Sequence, residues 1–166
     1  MKIILYVLSA AVAVYLLAYL ANWLSYTLIK CRVVRRQKWD LNIACGHTDG
    51  GGINADIVQH ADVPNFVLVK DIYNLPFADK QFKDVLCSHT IEHVDDVQRL
   101  HEELNRVGER VIYLLPPLWD FSAALNLIEH KTIFLSMRSE HQTLPPYFGL
   151  PFADTFQRWF GQKIKA

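Results

Sequence analysis

Leu41-Asn42-Ile43-Ala44-Cys45-Gly46, then Ile53-Asn54-Ala55-Asp56-Ile57, then KDIYNLPFADKQFKDVLCSHTIEHV over residues 70–94 are the runs that decide how this chain is read. Three apolar runs each close on a small or acidic residue: Gly46, Asp56 and Ser88. An isolated Asp71-Ile72 pair stands between the second and third. This layout predicts a nucleotide-sized pocket along the carboxyl ends of parallel strands, where ligands of open α/β sheets collect.

The runs extend into a repeating pattern. Strands are expected over Trp39–Cys45, Ile53–Val58, Phe66–Lys70, Phe82–Cys87 and Arg110–Leu115. Loops are expected over His47–Gly52 and over Asn74–Gln81, which contains Pro76. Val94, Val97, Leu100, Leu104 and Val107 recur at helical spacing, with Gly108 as the expected C′ stop. Strands alternating with crossovers imply a parallel α/β sheet. After Pro116-Pro117 the spacing predicts a helix over Leu118–Met137 and a short final one over Asp154–Phe160.

The N-terminus adds a different element. Ile3 to Ile29 is uncharged over 27 residues, and about 20 suffice to cross a bilayer. Trp23 and Tyr26 lie near its end, where amphipathic rings favour the interface. Ser9-Ala10-Ala11 offers a signal-peptide cleavage site, but signal cores run to roughly 15 residues and this stretch continues well past it. An uncleaved anchor is expected over residues 1–29, a basic juxtamembrane linker over 30–39 and an α/β domain over 40–166. Lys2 stands alone before the span, whereas Lys30, Arg32, Arg35, Arg36 and Lys38 follow it. The positive-inside rule then predicts a single-pass membrane protein with its domain on the cytosolic side. A net charge of zero argues against a broad nucleic-acid face. Three cysteines, two of them in apolar runs, suit a reducing compartment.

Small residues ending the first strand let a ligand approach the backbone closely. Asp56 is placed to accept from both hydroxyls of a ribose, Asp71 from an exocyclic amine, and Ile72 to pack on an aromatic base. With Leu75-Pro76-Phe77, Val85-Leu86-Cys87-Ser88 and Glu92-His93-Val94 in sequence, residues 40–117 resemble the class I S-adenosylmethionine-dependent methyltransferases, the type 11-like group in particular. The resemblance implies a minimal Rossmann-like, mostly parallel sheet with flanking helices, preceded here by one transmembrane helix. It implies S-adenosylmethionine as cofactor. Asn42, Ala44, Cys45 and Gly46 would lie at its methionine portion, Asp56 and Ile57 at the ribose, and Asp71 and Ile72 at the adenine. Ser88 and His89 would stand beside the transferable methyl.

The chain departs from that family in four places. Asn42 replaces the usual acid, and Ala44 the first glycine. Nine residues separate Gly46 from Asp56, so that crossover must be a loop or a single turn. Antiparallel strands finishing the sheet are not evident after Pro117.

His93 and Glu92, with His89, are the candidate catalytic residues if the acceptor must lose a proton; the competing reading makes Glu92 and His93 caps of the following helix. His89-Thr90-Ile91-Glu92-His93 also fits H-x-x-E-H, a zinc signature. No helix turn precedes His89 and no third ligand stands out, so no metal is expected. Gly50 to Ala55 matches G-x-G-x-x-A but is followed by a strand, against the dinucleotide motif.

The expected activity is methyl transfer to a lipid, a membrane-associated small molecule or a membrane protein. The bilayer and membrane-protein subunits are the expected partners. A degenerate, non-catalytic accessory subunit is the alternative.

Overall fold

The structure, a computed structural model, describes residues 2–160; residues 161–166 of the expected domain lie outside them. Six strands form one sheet in the order β3-β2-β1-β4-β5-β7. They are β1 (Trp39–Ile43), β2 (Gly51–Asp56), β3 (Phe66–Leu68), β4 (Phe82–Ser88), β5 (Gly108–Leu114) and β7 (Glu140–His141). The first five are parallel. The sheet is therefore of the expected Rossmann-like class, with its order reversing between β1 and β4. Central strands buried on both faces read as continuous apolar runs, and Val85-Leu86-Cys87 and Val111 to Leu115 are such runs.

One sheet face packs on α3 (Val97–Val107) through Val85, Cys87, Val111 and Tyr113. Asp96 caps α3 by accepting from the Arg99 amide at 2.9 Å, so Glu92 and His93 are not its caps. Gly108 does not adopt the left-handed C′ conformation; it enters β5 directly, with φ −112°. A Cβ there would lie 2.5 Å from Val85 Cγ2, so glycine serves close helix-to-strand packing.

The opposite face is covered by a segment expected to be a linker. The apolar helix α1 (Lys2–Asn22) passes through a π-helical stretch, Trp23–Ile29, into α2 (Lys30–Val34) without a break. Val33 and Val34 are buried with Trp39, Leu86, Ile112 and Leu114. The Trp39 indole donates to the Val34 carbonyl at 3.0 Å, and Arg36 forms a two-pronged ion pair with Glu140. Valines at the helix end thus act as the second layer of the domain rather than as a tether.

Two further expectations are corrected. Helix over 118–137 is limited to α4 (Phe121–Ala124), capped by Asp120; beyond it the Lys131 and Thr132 amides bond the Glu92 carbonyl. That capture holds β6 (Thr132–Phe134) extended against β8 (Tyr147–Gly149). An antiparallel strand does finish the sheet, β7 beside β5, although at two residues it is too short to carry a sequence pattern. The final helix, α5 (Ala153–Phe160), agrees with expectation.

Candidate functional site

A cleft of about 580 Å³ opens at the carboxyl ends of β1, β2 and β4, within the range of small-molecule sites. It lies where the strand order reverses, the position at which such sheets bind ligands.

Ala44, Gly46, Asp56, Ile57, Asp71 and Ile72 all line it. Ala44 and Gly46 have φ of +50° and +55°, bending the chain sharply out of β1. Asp56 Oδ2 accepts from the Gly46 amide at 2.9 Å and Oδ1 from the Ile57 amide at 2.7 Å. The Val58 amide also donates to Oδ1, at 3.5 Å. A carboxylate offers about four lone-pair sites, so acceptor capacity remains on Oδ2 for a ligand hydroxyl. Asp71 Oδ1 accepts from the Tyr73 amide at 2.8 Å; Oδ2 lies 4.0 Å from Arg99.

Asn42, Cys45 and Ser88 do not line the cleft. Asn42 donates to the Thr48 carbonyl and to Asn54 Oδ1. Asn54 in turn donates to Asp49 and to the Pro64 carbonyl. This amide network fixes the β1–β2 crossover in place of a helix, which gives Asn42 a structural task. The Cys45 thiol is pushed up to about 11, by burial first and then by Asp56. The Ser88 hydroxyl is buried and unpartnered, turned away from the cleft.

Of the catalytic candidates, His89 and His93 line the cleft, whereas Glu92 lies behind them, 1% exposed. His89 Nδ1 and His93 Nε2 stand 3.6 and 3.9 Å from Glu92 Oε1. Burial raises the Glu92 carboxyl, but His89, His93 and His130 together outweigh it and leave it below the ordinary value.

The sequence pattern missed His60, Lys70, Tyr73 and Thr90 on the rim, and Ile128, Glu129 and Gln157 from the C-terminal third. Ile128 and Glu129 were hidden by reading 118–137 as one helix, and Gln157 lies on the final helix, which carried no site signal. Leu75-Pro76-Phe77 also finds its reason here. The Leu75 amide donates to Glu103 at 2.5 Å, and Arg106 donates to the Leu75 and Phe77 carbonyls. These side chains of α3 clamp the wall that carries Asp71.

Residues 50–110 match the family described as a methyltransferase domain. The matched stretch runs from β2 into β5 and includes Asp56, Asp71, His89 and His93 of the cleft. The match agrees with the class I resemblance and indicates S-adenosylmethionine as cofactor. The residues present fit that molecule: a buried carboxylate with acceptor capacity left on Oδ2, a second carboxylate at Asp71, and apolar Ile57 and Ile72 beside them.

Among solved structures, a SAM-dependent methyltransferase from Aquifex aeolicus aligns at 13% identity with a TM-score of 0.41, over 57% of this chain and 68% of its own. A protein from Pyrococcus horikoshii OT3 aligns at 17% identity with a TM-score of 0.45, over 84% of this chain and 80% of its own. None of the curated proteins matches this chain in sequence.

Proposed function

We propose that this methyltransferase is anchored in a membrane by its N-terminal helix, with the domain on the cytosolic side. Its acceptor is a lipid, a membrane-associated small molecule or a membrane protein. The observation that carries this reading is the contact between helix and cleft: the Tyr26 ring packs at 5.1 Å on His89, which lines the cleft. Asn22 donates to the buried Asp120 at 3.3 Å on the same side. Among the described residues one helix is long and apolar enough to cross a bilayer, Lys2–Val34. Exposed apolar side chains beside its exit, Phe121, Leu125 and Ile128, suit an interface with headgroups. Phe148, Phe152 and Trp159 are likewise exposed, Trp119 is half-buried, and Phe134 belongs to the core.

When bound, S-adenosylmethionine supplies an electrophilic methyl group. The chain's own residues hold and orient it: Asp56 at the hydroxyls, Asp71 at the amine, and Gly46 where no side chain obstructs the backbone. His89 and His93 line the cleft on its acceptor side, and His89 is the proposed proton acceptor. Glu92, behind them, acts only through the histidines. Alignment and desolvation supply most of the acceleration for a transfer of this kind.

Calorimetry on the detergent-solubilised full chain should show binding of S-adenosylmethionine and of its demethylated product. Asp71→Ala should weaken both by about 1–3 kcal/mol, roughly five- to a hundredfold. In vesicles with a labelled methyl donor, label should partition into the lipid or membrane-protein fraction; label confined to water-soluble acceptors would overturn the membrane assignment. The accessory-subunit alternative is favoured by the use of Asn42 as a loop brace instead of a ligand acid. It predicts cofactor binding without turnover on any acceptor.

A further inference from the structure

The segment His89–His93 carries three potential ligands on a non-helical turn, and the fold brings a fourth to it. Because the Lys131 and Thr132 amides both bond the Glu92 carbonyl, His130 is drawn against His93, with ring centroids 4.7 Å apart. One donor atom from each of Glu92, His93 and His130 lies within 4.8 Å of the others.

The Glu92 carboxylate is the telling group. It is 1% exposed, and neither of its oxygens has a hydrogen-bond partner. Leaving a buried carboxylate unsatisfied is strongly unfavourable, and here it points among imidazoles that stand just beyond bonding reach. We propose that Glu92, His93 and His130 bind one divalent metal ion of the zinc class.

The surroundings are those a ligand set requires. His93 Nδ1 contacts the Glu129 carbonyl at 3.0 Å, which fixes the tautomer and leaves Nε2 on the Glu92 side. Metal-bound histidines regularly use their second nitrogen this way. Bonds of about 2.0–2.2 Å in a tetrahedral site require donor atoms about 3.3–3.6 Å apart. Small side-chain rotations close the gap from the 3.9 Å between His93 and Glu92. Two imidazoles and one carboxylate select zinc over magnesium or calcium, which favour all-oxygen shells. His93 lines the cleft and His89 Nδ1 stands 3.6 Å from Glu92 Oε1, so the ion would border the cleft. This site needs no cofactor, so its test is separate from that of the methyltransferase reading.

The full chain in detergent, stripped with chelator and dialysed against Zn²⁺ alone, should retain one zinc per chain by elemental analysis. Its melting temperature should rise with Zn²⁺ concentration. His93→Ala and His130→Ala should each weaken zinc binding at least tenfold, while His141→Ala, remote from the cluster, should leave it unchanged. Circular dichroism identifies any variant that fails to fold; the partly exposed His93 then carries the comparison. Failure of the wild type to retain zinc, or retention undiminished in His93→Ala, overturns the site.

Discussion

Ala44 and His89 both hold left-handed backbone, with φ of +50° and +51°, at the carboxyl ends of β1 and β4. This conformation costs a side chain about 1–2 kcal/mol. Strain of this kind persists where surrounding structure over-determines it, commonly at ligand sites, and both residues line the cleft. Ala44→Gly should relieve the strain, less the greater entropy that glycine loses on folding. Its expected effect is a gain of about 0.5–1 kcal/mol, read as a melting temperature higher by roughly 2–4 °C. At this scale the sequence was legible where side chain and backbone ask for the same place. Asp56 and Asp71 each follow a strand and accept local amides, so position alone locates them. Ser88 and Cys45 were misplaced because alternation along a strand sends neighbours to opposite sides, and a one-residue difference at a strand end reverses which side faces the ligand.

The element that most shapes the cleft from outside is α3. Arg106 holds the Glu103 carboxyl below its ordinary value, against the upward push of burial and with help from the Leu75 amide. The sign follows directly. A carboxylate with a depressed folded pKa adds stability above its unfolded value, and that stability disappears as pH falls through the folded value. Glu103→Gln should therefore destabilise the domain by about 1–3 kcal/mol near neutral pH and flatten the fall in melting temperature on acidification below roughly pH 4.5. Thermal melts at several pH values check both. The helical period of α3 was plain from its valines and leucines, but its second face was not. Glu103 and Arg106 sit on that face and read as ordinary charged surface until the Leu75-Pro76-Phe77 loop is folded against them. The Lys30–Val34 segment failed for a related reason. Its basic residues suggested a solvated linker, while its two valines were too few to signal burial.

For the molecule as a whole, the N-terminal helix and the α/β domain share a core. Removing residues 1–21 should leave a folded domain, because Ser25, Val33 and Val34 keep their places. Removing residues 1–34 should expose Trp39, Leu86, Ile112 and Leu114 and give aggregates. Size-exclusion chromatography in detergent distinguishes the two. The 20 residues from Lys2 to Ala21 extend about 30 Å at about 1.5 Å each, close to the thickness of the hydrocarbon core. Asn22 already touches the domain.

On the proposed anchoring, a helix that enters the sheet without a joint removes the vertical freedom that a flexible stalk would give. In a membrane, the cleft is then held at one fixed height above the lipid, moving only as fast as the helix diffuses laterally. Its encounters become two-dimensional. Turnover should follow the number of acceptor molecules per unit area of membrane, and diluting them with inert lipid should slow the reaction even when their amount per millilitre is unchanged.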